Sequence, residues 1–391
     1  MTFRSCPRPY AALTVALPIL ILVAAACGPA SIRANQTAVE TDAPESVTQP
    51  VETGASSEPA DSSEGSLPIE DTMPTEDTVP TEDEVVPEAR ESVAVFAEAT
   101  FDVALTSDVV YAQALSHESW GSDAATEIDL LLDVYEPERS DDAIMPAIVM
   151  IHGGGFNGGS KTTGWISQWA PWYAARGWVV YSVDYRVSGD FGTLPADFPE
   201  LSGDLNRKQT DQAHALYPAC RDAKAAIRWV HATADEYSIS TDHVAVIGGS
   251  AGSVLAVTLG ASDDADCTDE ISVEEDPTLL TTNLGQSSAV TTVIDHWGGT
   301  AILHLLELMD GVDRFDETDA PVSIVHGTED QAVPFSAAEA IRDAYDTTGV
   351  AYEWHPLVGQ GHGLWDATIE GEPLFESAYD FIIETQSLLV E

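Results

Sequence analysis

Val244-Ala245-Val246-Ile247-Gly248-Gly249-Ser250-Ala251-Gly252 is the stretch on which the fold turns. Its first four residues are an apolar run that reads as a buried strand, and the segment that follows, Val254 to Leu259, favours a helix. Ser250 therefore sits where a strand bends sharply into a helix. Glycines are needed beside it because such a turn is strained and leaves no room for side chains, and the strain lifts the serine hydroxyl clear of the sheet.

Working outward, Ala147 to Ile151 reads as a second buried strand that runs straight into His152-Gly153-Gly154-Gly155-Phe156. Three consecutive glycines let a backbone approach a ligand closely. Downstream, the β-branched run Val322 to Val325 leads to His326-Gly327-Thr328-Glu329-Asp330, and Ala351 to Leu357 leads to Gly359-Gln360-Gly361-His362-Gly363. A serine, an acid and a histidine thus follow one another, each in a loop after a strand. The binding groups of open α/β sheets collect at the carboxyl ends of their strands.

A serine hydroxyl is a weak nucleophile at neutral pH and needs a base within hydrogen-bond reach, itself oriented by a third group. His362 is the candidate base and Asp330 the candidate acid. Glu329 beside it and Asp295, which closes the run Val290 to Ile294, are rival carboxylates. Attack on a carbonyl creates an oxyanion, and each preorganised donor aimed at it is worth on the order of 3 kcal/mol. The amides of Gly154, Gly155 and Ala251 are the candidate donors, the last at the positive end of a helix. His152 reads as a loop-shaping residue rather than a second base. Phe156, Trp165 and Trp169 are candidate substrate contacts; the cluster of Trp165, Trp169 and Trp172 either packs in the core or walls a pocket for an acyl or aryl group.

Strand-like runs at 128–135, 147–151, 178–183, 244–247, 290–294, 322–325 and 351–357 alternate with helical stretches, which predicts an α/β fold with a mostly parallel sheet and helices on both faces. Runs near Val103 and Val109 suit antiparallel edge strands. A helix is expected over Cys220 to Ala234, and Pro171 is expected to interrupt any long helix through the tryptophans. Two long connections stand out. Val187 to Leu216 suits a lid or acyl-pocket wall, and the acidic Asp263 to Ser288 suits a solvated surface excursion.

Taken in order, Leu132-Asp133-Val134-Tyr135-Glu136-Pro137, the His152 to Phe156 loop, Tyr181-Ser182-Val183-Asp184-Tyr185-Arg186, the helix bearing Asp222 and Ala226-Ile227-Arg228-Trp229-Val230, the Ser250 turn and the Asp330 and His362 loops resemble the small carboxylesterase/lipase branch of the α/β-hydrolase superfamily. Hormone-sensitive-lipase-like and bacterial feruloyl-esterase-like proteins are the nearest parallels. The resemblance runs from about Val93 to the end of the chain. It implies an α/β-hydrolase fold with a small lid or cap, a Ser250–His362–Asp330 triad, an oxyanion loop at Gly154 and Gly155, and a small-molecule ester as substrate, with no cofactor and no metal. Two positions depart from the pattern: Gly249 stands where hormone-sensitive-lipase-like members usually carry an acid, and Ser253 replaces a common glycine.

Residues 1–27 read as an export signal. Arg4 and Arg8 precede the apolar run Ala11 to Ala26, which ends in Ala24-Ala25-Ala26-Cys27-Gly28. This is similar to a bacterial lipoprotein signal, in which lipidation of Cys27 anchors the chain to a membrane. An ordinary secretory signal cleaved near the same alanines is the alternative. Residues 28–92 are rich in Thr, Glu, Asp, Pro and Ser and repeat Pro-Thr-Glu-Asp at Pro74 and Pro80. They cannot bury enough apolar surface to offset their ordering entropy, so a disordered tether with a reach of roughly 45 Å is expected. Residues 93–391 form the catalytic domain, placed in the cell envelope outside the cytoplasm.

The 391 residues are 44% hydrophobic, enough for one large core. With 66 acidic against 15 basic side chains the formal net charge is −51, which argues against nucleic acid as a partner and would repel polyanionic substrates but not neutral esters. Of four cysteines, Cys220 and Cys267 fall in the catalytic domain. In an oxidising compartment they suit a disulfide, two free buried thiols being the alternative. No cysteine or histidine spacing suggests a metal site. Three functions compete: a carboxylic ester hydrolase, a serine peptidase on the same fold, and a tethered binding module that has lost catalysis. The complete set of nucleophile, base, acid and oxyanion loop favours the first.

Overall fold

The computed structural model describes residues 93–391. The export signal, the lipidation site Cys27 and the tether therefore lie outside the described residues. In chain order the elements are β1 (Ala94–Val95), β2 (Val103–His117), β3 (Ala125–Pro137), β4 (Met145–Ile151), α1 (Gly164–Ala174), β5 (Val179–Val183), α2 (Arg207–Ala232), α3 (Ala234–Tyr237) and β6 (Ile239–Gly249). They continue with α4 (Ala251–Ala261), β7 (Thr292–His296), α5 (Ala301–Asp310), β8 (Val322–Gly327), α6 (Phe335–Thr348), β9 (Tyr352–Leu357), β10 (Thr368–Ile369), β11 (Glu372–Pro373), α7 (Leu374–Gln386) and β12 (Leu389–Val390).

Eight strands form one sheet in the order β2-β3-β5-β4-β6-β7-β8-β9, parallel from β5 to β9 and antiparallel at β2 and β3. The α/β expectation is met. β4 lies in the middle, so all of its residues are buried and it reads as an unbroken apolar run. Side chains alternate across the pleat. Ala147, Val149 and Ile151 join the core layer under α2, α4, α5 and α6, whereas Ile148 and Met150 join the opposite layer under α1 and α7. The edge runs near Val103 and Val109 prove to be one long strand, β2, paired with β3 through two irregularities in register.

Three expectations need correction. Pro171 does not interrupt the tryptophan helix: it lies inside α1, whose stripe of Trp165, Ile166, Trp169, Ala170 and Tyr173 is buried against the sheet and holds the helix together. The helix expected from Cys220 begins at Arg207. Asn206 and Gln209 form a capping box there, each side chain satisfying the other's backbone amide, and Pro218 is carried within the helix. The connection after β5 is shorter by that much.

The acidic segment 263–288 is docked rather than solvated. Arg221, Lys224 and Arg228 share one face of α2 and are at most 5% exposed. Buried cations need partners, and this segment supplies them. Arg221 binds Asp276 at 3.0 Å, Lys224 donates to the Asp263 carbonyl, and Arg228 donates to the Asp264 carbonyl at 3.1 Å. Burial pushes the Lys224 ammonium down to about 8. Cys220 of α2 is joined to Cys267 of the segment, with Cα atoms 5.9 Å apart. Closing a loop of that length restricts the unfolded chain by about 4 kcal/mol in the entropy model. Replacing both cysteines by serine should therefore lower the unfolding free energy by about 4 kcal/mol, as urea titration would read it; an unchanged midpoint would show that the ion pairs alone hold the segment.

Candidate active site

Ser250 lies between β6 and α4 with φ 56° and ψ −120°, a backbone conformation rarely adopted by a residue with a side chain. Its N–H donates to the His296 carbonyl at 3.0 Å, so the neighbouring β7 holds the turn in place. The glycines around it are sterically required. A Cβ on Gly252 would collide with the Ile151 carbonyl of β4, and one on Gly249 would strike the indole of Trp365. The departure at Gly249 thus has a physical cause: an acid cannot fit beneath that ring.

The glycine loop after β4 closes onto the same turn. A Cβ built on Gly153 would lie 2.7 Å from the Gly249 carbonyl and 3.2 Å from Ser250 Cβ. Gly154, Gly155 and Phe156 all have positive φ, at 119°, 59° and 57°. This strained run is clamped from outside. Gln212 of α2 and the Asn157 side chain both donate to the Gly155 carbonyl, at 2.6 and 3.0 Å, and Ser188 N–H donates to the Phe156 carbonyl at 2.7 Å. His152 is buried, stacks on Tyr185 at 4.3 Å and donates Nδ1–H to the Gly153 carbonyl at 2.7 Å. Burial lowers its pKa, which favours the neutral ring, and its partners are those of a loop-shaping residue.

The base and acid loops meet at Ser250. His362 Nε2 lies 2.9 Å from Ser250 Oγ, and His362 Nδ1 lies 2.6 Å from Asp330 Oδ2. The other Asp330 oxygen accepts the amides of Ala332 and Val333 at 2.8 and 2.9 Å. Burial works against the Asp330 charge, but hydrogen bonds from His326, His362 and the Val333 amide outweigh it and hold the carboxyl well below the usual range. These bonds favour the charged form of Asp330. The carboxylate forces a proton onto His362 Nδ1 and leaves Nε2 as the acceptor facing the serine hydroxyl.

The rival acids are placed elsewhere. Glu329 is exposed. Asp295 is fully buried on β7, where Oδ1 accepts the Ser253 hydroxyl and the Gly298 amide, the latter at 2.8 Å. Ser253, the second departure, thus ties α4 to β7 beside the nucleophile.

The expected substrate contacts do not stand at the surface of the site. Phe156, Trp165 and Trp169 are only 4–5% exposed. Phe156 packs edge-on against Tyr185, while Trp165 stacks on Trp365 at 4.2 Å and Trp169 meets Trp365 edge-on at 5.2 Å. Packing claims these rings first because α1 needs an apolar stripe to dock. The half-buried Trp365, over Gly249, and Trp297, edge-on to the His362 ring at 6.2 Å, are the aromatics beside the triad. Their sequence signal is weak: Trp365 lies three positions after His362, and nothing in periodicity sets it apart. Gln212 was likewise hidden inside a segment expected to be loop.

Gly249→Asp should push Trp365 off the turn and with it the His362 loop. Displacements of about 1 Å cost about 10²-fold in rate, so kcat/KM for a p-nitrophenyl ester is expected to fall by that order with the fold retained by circular dichroism. Unchanged kinetics would show that Trp365 does not brace the loop.

The BD-FAE family model matches residues 132–208 and 205–314, a span holding the glycine loop and Ser250 but neither Asp330 nor His362. A fumonisin B1 esterase from Sphingopyxis macrogoltabida is 31% identical over 134 residues, which are 34% of this chain and 23% of that protein. Esterase LipC of Mycobacterium tuberculosis is 24% identical over 272 residues, 62% of this chain and 59% of its own length. The chain thus spans less than two thirds of either relative. Among solved structures, butyrate-bound esterase 2 of Thermogutta terrifontis aligns with TM-score 0.48 and 24% identity over 66% of this chain and 90% of its own. Its paraoxon-phosphorylated form aligns with TM-score 0.49 and 24% identity over 72% and 94%. The chain has an α/β fold whose mostly parallel sheet brings Ser250, His362 and Asp330 together, and through residues 132–314 it is similar to the BD-FAE family.

Proposed function

We propose that the protein is a carboxylic ester hydrolase acting on neutral short-chain or aryl esters outside the cytoplasm, held at the cell envelope through Cys27. The observation that carries this reading is the unbroken relay from Ser250 Oγ through His362 to Asp330, at 2.9 and 2.6 Å. Both curated relatives that the chain resembles are named as esterases.

In the mechanism, Ser250 Oγ attacks the ester carbonyl as His362 Nε2 takes its proton, and Asp330 stabilises the imidazolium so formed. The oxyanion falls to the amides of Gly154, Gly155 and Ala251, of which Ala251 begins α4 and lies at its positive end. His362 returns the proton to the departing alcohol. Water, deprotonated by the same imidazole, then attacks the acyl-enzyme and frees the carboxylic acid and Ser250. The Trp365 face beside Gly249 favours a flat or short group there, and the net charge of −51 favours uncharged substrates.

Ser250→Ala should lower kcat on p-nitrophenyl acetate by at least about 10³-fold while the unfolding midpoint stays unchanged; turnover at the wild-type rate would end the ester-hydrolase reading. For the anchor, Cys27→Ser is expected to move the protein from the membrane fraction to the soluble fraction of bacterial cells. Its retention on the membrane would contradict lipidation at Cys27.

A further inference from the structure

At the amino edge of the sheet, opposite the triad, the end of α4 meets the segments that lead into β7 and β8. Together they wall a cavity of about 190 Å³ whose lining includes Asp263, Asp264, Asp316 and Asp319. These carboxylates gather at the negative end of α4, where a helix favours a cation, yet its last turn carries no basic residue.

Asp319 supplies the buried acceptor. It is 9% exposed, its Oδ1 accepts the Asp316 amide at 3.3 Å, and its Oδ2 is buried without a hydrogen-bond partner. A carboxylate oxygen in that state is costly. The side-chain hydrogens around it are spent elsewhere. Ser262 donates to the Thr258 carbonyl at 2.6 Å, Ser287 to Asp264 at 3.2 Å and Thr318 to Asp316 at 2.7 Å. Arg314 directs its guanidinium at Asp266, Asp310 and the Val312 carbonyl. Lys224 reaches the Asp263 carbonyl from α2 but does not line the cavity. The lining side chains thus present acceptors and no uncommitted donor.

Such a lining calls for a ligand that brings positive charge and several N–H groups. Among the described residues no three acids, histidines or cysteines are placed to hold a metal ion. An ammonium group, with three hydrogens of its own, can bridge acceptors set further apart. The volume lies below the roughly 300 Å³ at which drug-sized sites begin, so it suits a molecule of few heavy atoms. We propose that this cavity binds a small aliphatic amine in its ammonium form, with Asp319 as the buried acceptor and Asp316 and Asp263 beside it.

Burial pushes the Asp319 carboxyl up and the charges of Asp316, Asp313 and Asp263 add to this against the bond from the Asp316 amide, bringing it to about 7. From α6, Tyr345 approaches with a phenol that donates to the Ala320 carbonyl at 2.8 Å. An ammonium binds the carboxylate rather than the acid, so affinity is present above about pH 7 and is lost as pH falls through it.

Isothermal titration of the full chain with 1,4-diaminobutane tests the site whether or not the chain hydrolyses esters. Salt at about 0.15 M screens the diffuse attraction of the acidic surface. One molecule per chain is expected, bound about tenfold more weakly at pH 6 than at pH 8. Asp319→Asn should abolish this binding and Asp316→Asn should weaken it, while Asp343→Asn, at an exposed position of α6, should leave it unchanged. No one-to-one binding in the unaltered chain, binding that survives Asp319→Asn, or equal affinity at the two pH values overturns the proposal. Should Asp319→Asn fail to fold by circular dichroism, undiminished affinity in Asp316→Asn overturns it instead. Calcium chloride in place of the amine is expected to give only heat of dilution; saturable calcium binding that Asp319→Asn removes would assign the cavity to a metal and overturn the ammonium reading.

Discussion

The strained backbone of Ser250 is the constraint on which the site depends. At φ 56° and ψ −120° a serine is unstable by itself, and the surroundings must over-determine it. They do so from three sides. The His296 carbonyl accepts its amide, Gly252 lets α4 press against the Ile151 carbonyl of β4, and Gly249 lets the Trp365 ring close over the turn. The same parallel sheet that supplies these contacts brings the glycine loop, the acid loop and the base loop to one edge. The nucleophile is therefore a property of the packed sheet rather than of five residues.

Charge is handled in the same way. A chain with so few lysines and arginines places several of them inside, where α2 uses Arg221, Lys224 and Arg228 to draw in an acidic segment, and Arg186 pairs with Asp222 at 2.7 Å to fix the loop after β5 on α2. Lys161 binds Asp108 and Asp133 at 2.8 and 2.7 Å, tying the segment after the glycine loop to β3. Pairs so buried add little net stability against an apolar replacement, but each is costly to break. The Arg186 and Lys161 pairs fix the loops that follow β5 and β4, at the carboxyl edge of the sheet, while Arg221, Lys224 and Arg228 hold the segment that follows α4.

Much of this was legible from residue order alone. The apolar runs fixed the sheet because central parallel strands are buried on both faces, and the triad was legible because each of its members follows such a run. What escaped were features set by tertiary partners. Pro171 and Pro218 lie within helices because buried stripes and an N-terminal capping box outweigh the lost hydrogen bond. The segment 263–288 looked solvated because its partners are buried cations on a distant helix. Trp165 and Trp169 read equally well as core or as pocket wall, and only the docking of α1 separates those alternatives. Gln212 and Trp365 carry no local pattern, since the first acts through a carbonyl of the glycine loop and the second through contact with a glycine far away in the chain.

The account stands on Ser250 being activated by His362. The most direct measurement is the intact mass of the purified protein after exposure to a fluorophosphonate, followed by peptide mapping. One adduct per chain on Ser250, lost when His362 is replaced by alanine, is the expected result. No adduct, an adduct on another residue, or labelling of Ser250 that persists at the same rate without His362 would contradict it.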